Sequence, residues 1–337
     1  MSSWRRLHPR AFRQVALVSM VALGLIIVTG AAVRLTGSGL GCPDWPSCYR
    51  HQLVAAVSFH PMVEFVNRLI TIAVTVVVGL TVLGAVARRP FRSDLLWLSL
   101  GLLVGVLGQA VLGGLTVLFK LAPPLVMAHF SFSIAVLADA VVLYARAGQQ
   151  RVPAQPMVSR SIVRLGRLML VGLSFVVVAG TAATGSGPHA GNQHAKRLPF
   201  AFHATAEFHA TVAMLLVGLT VGIVVAIHQS GVPPRVQRLG RLLLAVMVAQ
   251  GMIGYSQYFL HVPAGVVELH IVGITVLWTV AVSFYLGLFH RPPIEAPAAV
   301  EVAEVRRGGG VAVAAQAGGV AVAAQAGGDG APAPARA

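Results

Sequence analysis

Charge is what this chain has least of. Of its 337 residues only 10% are Asp, Glu, Lys or Arg, and only 10 residues are acidic. Soluble domains carry about 25% charged residues, so an ordinary solvated surface is excluded. Cysteine is nearly absent as well, with 2 in the whole chain. That excludes a disulfide-built scaffold and a thiolate metal cluster. Aromatic residues make up 7%. What remains is apolar: 56% of the residues are hydrophobic and the mean hydropathy is +0.80.

The apolar residues are gathered into runs. Eight runs of about 20 residues read as membrane-spanning helices, near 15–33, 62–87, 95–118, 124–145, 165–184, 203–228, 239–260 and 265–289. The first lacks a small-residue cleavage site and is followed by further spans, so it reads as a retained helix. The net charge of +15 does not point to nucleic acid, because its distribution is that of a membrane protein. Only Arg34, Arg50, Lys120, Lys196 and Arg197 fall in the odd-numbered loops, with Arg68 just inside a span. The remaining basic residues lie in the tails and even-numbered loops, which predicts both termini on the cytoplasmic side.

A stretch occurs twice. GQAVLGGLTVLFKLAPPLVMAHF (108–130) aligns without a gap on AQGMIGYSQYFLHVPAGVVELHI (249–271), so Gln109 falls on Gln250, Gly113 on Gly254 and His129 on His270. A second landmark, TGSG, stands at 36–39 and again at 184–187, each time just beyond an odd-numbered span. The expected fold is therefore an all-α membrane protein, with eight transmembrane helices as two tandem four-helix bundles related by a pseudo-twofold axis. Its divisions are a cytoplasmic tail (1–14), a first half (15–145), a polar cytoplasmic linker (146–164), a second half (165–289) and a tail (290–337). The last contains GGVAVAAQA twice and is too poor in large apolar residues to build a core, so it reads as disordered.

The even-numbered helices all run inward from the outer face. Glu64 and Asn67, His129, His209 and His270 lie early in helices 2, 4, 6 and 8, at a common depth. Ionisable groups inside a span are costly and usually face a bundle interior or cavity. The plain alternative for Glu64 is a helical i,i+4 pair with Arg68. For His203, at the mouth of helix 6, it is an interfacial hydrogen bond. His51, His60, His189, His194 and His261 fall in outer loops or at helix edges, and Asp139 and Glu207 have no counterpart in the other half. Two imidazoles on facing helices suit a haem iron, whereas zinc or copper needs more ligands converging on one point. His209 and His270 make a closed pair across the second bundle. His129 faces Asn67, with a carboxylate nearby: an open site beside an acid. Cys42 and Cys48 share the first outer loop, where an oxidising environment predicts a disulfide.

TGSGLGCPDWPSC (36–48), EFVNRL (64–69), the His129 helix, TGSGPHAG (184–191), the KRLPF run (196–200) leading to His209, and the His270 helix together resemble the heme A synthase family. The resemblance covers the chain apart from its tails. It implies a multi-pass enzyme of the bacterial plasma membrane that oxidises the C8 methyl of heme O to a formyl group, giving heme A for terminal oxidases. It implies a heme b held by His209 and His270, with His203 the other candidate on helix 6. It further implies heme O at His129, Glu64 as the catalytic group, and Cys42 and Cys48 as the family's paired outer-loop cysteines. Asn67 stands where the family commonly has a second histidine. Arg34, Arg68, Lys196 and Arg197 are candidates to pair with haem propionates. Expected partners are heme O synthase (protoheme farnesyltransferase), oxidase assembly factors and a second copy of the chain. A bis-histidine diheme electron-transfer protein, cytochrome b-like, accounts for the histidines but not for Glu64; a transporter with an internal repeat accounts for Glu64 but not for the histidines.

Overall fold

The computed structural model describes residues 7–49, 54–192, 194–294, 303–307 and 310–314. Within it are eight helices long and apolar enough to cross a membrane: α1 (Pro9–Leu35), α2 (Phe59–Ala87), α3 (Ser93–Leu118), α4 (Pro123–Ala147), α5 (Arg160–Ser186), α6 (Phe202–Gln229), α7 (Pro234–Phe259) and α8 (Ala264–Gly287). The expected spans all form. Several helices start earlier than hydropathy alone predicts, because their first turns are set by capping and not by apolarity. His8 accepts from the Arg10 N–H ahead of Pro9, Ser159 accepts from the Ile162 N–H, and Pro234 opens α7.

The first four helices pack as α1 against α2 and α4, α2 against α3, and α3 against α4. The last four repeat the pattern, and the two sets meet through α1, α4, α5 and α8. Large side chains such as Phe12, Leu102, Leu137, Leu173, Ile223 and Phe284 fill the shared core. Leu25, Leu83, Trp97, Val104 and Leu215 are exposed, as suits a surface that meets lipid and not water. Ser19 and Thr81 bridge α1 and α2 with a 2.6 Å hydroxyl pair, each satisfied inside the core.

The turns α3–α4 and α7–α8 are built alike. Lys120 and Leu121 have positive φ, and so do His261 and Val262, 141 residues on; among the described residues no other non-glycine does. Leu121 N–H reaches Thr116 O at 2.7 Å, and Val262 N–H reaches Gln257 O at 2.8 Å. Such six-residue loops close a helix by satisfying its last carbonyls, at a left-handed cost of about 1–2 kcal/mol per residue.

The α1–α2 and α5–α6 loops clasp one another. Arg34, at the end of α1, donates Nε to His189 O at 2.7 Å and Nη2 to Thr184 O at 3.3 Å. Gly39 N–H reaches Gly191 O at 3.1 Å, so the first TGSG loop is tied to the second. Cys42 and Cys48 form the expected disulfide. Their loop lays Trp45 on α3, where a Cβ on Gly114 would stand 2.5 Å from the indole Cδ2. Position 255, its counterpart in α7, is Tyr.

Elsewhere, Gln155–Pro156 (β1) pairs antiparallel with Phe289–His290 (β2). In the C-terminal unit, Ala303–Arg307 (β3) pairs with Gly310–Ala314 (β4). The tail expected to be disordered (290–337) is thus ordered at His290, in β2, through residue 294 and in β3 and β4; its other residues fall outside the described set, as do Arg5, Arg6, Arg50 and His51.

Two outcomes follow. Arg34→Leu leaves two part-buried carbonyls unpaired, at about 1–3 kcal/mol each, and lowers the thermal midpoint of the detergent-solubilised protein; an unchanged midpoint removes the clasp. Gly114→Ala drives Trp45 off α3. Its fluorescence, taken as the difference from a Trp45→Phe background, then shifts to longer wavelength.

Candidate functional site

The second bundle brings His209 and His270 together. Their rings meet edge to face with centroids 6.3 Å apart. Each ring is seated on a glycine of the neighbouring odd-numbered helix. A Cβ on Gly180 of α5 would stand 3.0 Å from His209 Cε1, and one on Gly254 of α7 would stand 3.4 Å from His270 Cε1. His209 Nδ1 bonds to Val176 O at 3.1 Å, which selects the Nδ1–H tautomer and leaves Nε2 as a lone-pair donor. His270 Nδ1 is buried without a partner. Gln250 of α7 donates Nε2 to His270 O at 3.0 Å, satisfying the carbonyl where α8 passes α7.

The first bundle repeats half of this. His129 sits two turns into α4, as His270 does in α8. Gly113 lies beneath it, with a Cβ there 3.3 Å from Cε1, and Gln109 Nε2 donates to His129 O at 3.0 Å. His129 Nδ1 too is buried without a partner. No histidine faces it from α2. Asn67 Oδ1 there accepts from Thr29 of α1 at 3.0 Å, which holds the amide against α1.

Glu64 is 6% exposed and fully engaged. Its Oε1 meets Arg68 Nη2 at 2.6 Å, the i,i+4 pair anticipated as the plain alternative. Its Oε2 accepts the Cys42 N–H at 2.8 Å. Arg68 continues into the cysteine loop, donating to the carbonyls of Cys42, Asp44, Pro46 and Ser47. A carboxylate and a guanidinium on one turn of α2 thus hold the disulfide loop over the first bundle, with Trp45 on Gly114, next to the Gly113 beneath His129.

The other candidates separate. His203 is exposed, stacks on Tyr258 with a hydrogen bond to its hydroxyl, and lies 3.4 Å from Glu207. It does not join His209 and His270. His60 bonds Ser38 Oγ at 3.0 Å, and His189 bonds Val262 O at 2.8 Å. Arg34 and Arg68, expected to be available for propionates, are instead committed to loop carbonyls. Lys196 and Arg197 are exposed. Among the described residues, no three His, Cys, Asp or Glu side chains converge as a metal site, and His209 and His270 are the pair of imidazoles that meet within the bundles. Sequence reading missed Trp45 on Gly114 and the carbonyl commitments of the arginines. Only the TGSG repeat hinted at the latter.

A family model described as cytochrome oxidase assembly protein (COX15-CtaA) matches residues 13–282. A heme A synthase of Shewanella oneidensis is 27% identical over 322 residues, covering 81% of this chain and 96% of its own length. A heme A synthase of Geobacillus thermodenitrificans is 35% identical over 112 residues, 32% of this chain and 34% of its own. Another, of Symbiobacterium thermophilum, is 34% identical over 143 residues, 42% and 46% respectively. The family match runs from the first turns of α1 into the last turns of α8, and the chain belongs to the cytochrome oxidase assembly (COX15-CtaA) family.

Proposed function

We propose that the protein is a heme A synthase, a multi-pass enzyme of the bacterial cell membrane that oxidises the C8 methyl of heme O to a formyl group, with water as the oxygen source. The observation that carries the reading is an asymmetry inside one repeated frame: the second bundle brings two histidines together, whereas in the first the histidine of α4 has no such partner, and α2 carries Asn67, bonded to Thr29, and a buried glutamate. The repeated turns and packing support two tandem bundles (15–145 and 165–289) joined by a linker (146–164), and the arginine distribution supports cytoplasmic termini.

The residues of the second bundle fit a heme b. The His209 and His270 ring centroids lie 6.3 Å apart, and the bond from Nδ1 to Val176 O leaves His209 Nε2 with a lone pair for a metal. His209 and His270 would hold its iron, and the bound group would supply one-electron transfer. The Val176 carbonyl holds the His209 tautomer and raises its basicity. Gly180 and Gly254 leave the rings the room to seat.

In the first bundle His129 would hold heme O, with Asn67 offering an amide in place of a second imidazole. Each of two successive oxidations inserts a water oxygen at the methyl carbon and releases two electrons and two protons; the resulting geminal diol loses water to give the formyl group. Glu64 accepts a proton at a carboxylate oxygen as water adds to the oxidised carbon. Arg68 and the Cys42 N–H hold that carboxylate in place. The four electrons would leave through the second bundle to an external electron acceptor. Heme O synthase as donor, oxidase assembly factors as recipients and a second copy of the chain belong to the same reading.

Glu64→Gln keeps an acceptor for the Cys42 N–H but removes the base, so heme A formation falls by about 10²-fold or more while the disulfide and haem content persist. Turnover at the wild-type rate would leave Glu64 a loop-holding residue only. His270→Ala removes the b-type difference spectrum, whereas His129→Ala keeps it; both leave heme O accumulating in extracted membranes. Heme A persisting in cells without the protein would end the synthase reading in favour of an electron-transfer protein.

A further inference from the structure

The arginine-rich end of the first bundle carries a second concentration of chemistry that the haem reading does not use. Arg88 and Arg92 come from the α2–α3 connection, Arg146 from the last turn of α4, Arg151 from the linker and Arg291 from the segment after α8. They crowd one carboxylate, Asp94, and one another: Arg146 is repelled by Arg291 and Arg92, and Arg88 by Arg92.

Asp94 is already spent. Arg92 takes it in a two-point pair, Nε to Oδ1 at 3.0 Å and Nη2 to Oδ2 at 2.6 Å. Arg92 Nη1 is turned to the carbonyls of Arg146 and Gln149. Arg88 is 2% exposed, gives Nη1 to Pro90 O, and buries Nε without an acceptor. Arg146 and Arg291 also bury Nε without an acceptor. Like charges half-buried together, with one carboxylate used by one of them, are costly unless an anion joins them.

Directly below this cluster, between α3 and α4, lies a cleft of about 470 Å³. Asp94 and Arg146 line it beside Trp97, Leu98 and Val142. Asp139 also lines it, about 10 Å below Arg146 at 1.5 Å per residue, turned onto α3 where its Oδ2 would meet a Cβ on Gly101 at 2.8 Å. Trp97 is 71% exposed, an indole at the level where lipid headgroups meet chains. A cationic mouth above an apolar wall is the shape of an amphipathic anion, and a free phosphate would leave the wall unused.

We propose that this cleft binds an anionic phospholipid, its phosphate on Arg146 and Arg291 and an acyl chain along Trp97, Leu98 and Val142. Bound there, the lipid neutralises the cluster and staples the end of α4 to the segment after α8. The site is independent of the haem chemistry.

The test uses the full chain purified in a neutral detergent, with phosphatidylglycerol, phosphatidylcholine and inorganic phosphate as separate additions. Phosphatidylglycerol is expected to raise the thermal midpoint by several degrees where the other two do not, and native mass spectrometry to show it retained. At about 1 kcal/mol for each arginine, the double substitution Arg146→Gln, Arg291→Gln weakens the phosphatidylglycerol response by about tenfold or more. Should that variant fold poorly, Val142→Trp fills the chain-binding wall with the arginines intact, and it too is expected to lose the response. An equal effect of phosphatidylcholine, an equal effect of phosphate alone, or a full response in both variants overturns the proposal.

Discussion

A polar side chain inside a membrane span has no water to fall back on, and this structure is organised around that constraint. Every histidine two turns into an even-numbered helix needs both a place for its ring and a use for its nitrogens. The place comes from glycine: Gly113, Gly180 and Gly254 remove a Cβ where His129, His209 and His270 press against the odd-numbered helices. The close approach brings a carbonyl on each of α4 and α8 within reach of the neighbouring helix, and Gln109 and Gln250 bond them at matching positions and the same 3.0 Å. The odd-numbered helices thus act as fitted backs for the even-numbered ones, and what is left facing inward is imidazole nitrogen.

Glu64 shows the same constraint at the outer face. A buried carboxylate needs partners, and it has two: Arg68 and the Cys42 amide. Arg68 in turn gathers loop carbonyls that would otherwise point at α2. The structural and chemical roles of Glu64 are therefore not rivals. In the proposed reaction the carboxylate that accepts a proton has to be held still, and the loop that holds it is the one that lays Trp45 on Gly114, next to the glycine beneath His129. Alanine would remove both roles together, whereas glutamine keeps the acceptor for the Cys42 N–H and removes the base, which is why the glutamine substitution says more than alanine.

Much of this was legible in the residues. Apolar runs of spanning length give the helices, and the 141-residue repeat pairs His129 with His270, because hydropathy and alignment are local properties of a sequence. The preference for His209 over His203 rested on its greater depth and its distance from the KRLPF run; in the structure His209 meets His270 while His203 turns outward to Tyr258. What stayed hidden depends on folding back. Arg34 and Arg68 look like free cations in a string, and only the loops' return shows their donors spent on carbonyls. The ring of Trp45 on Gly114 joins residues with nothing in their own neighbourhoods to announce the pair. The left-handed pairs Lys120–Leu121 and His261–Val262 carry no glycine to signal them.

A duplicated frame need not keep duplicated functions, and here the divergence can be traced to a few side chains. In the second half Gly180 gives α6 a seat for His209, and Tyr255 fills the place where α3 has Gly114. In the first half α1 presents Thr29, which ties down Asn67 where a facing histidine would stand, and Gly114 admits Trp45 from the loop. One bundle is closed by a second imidazole. The other carries a single imidazole on α4, and on α2 an amide bonded to α1 and a carboxylate braced by Arg68 and the Cys42 N–H. A site closed on both sides favours holding a group permanently, and a site open on one side favours exchange. The same packing rule, applied to different small residues, separates the two.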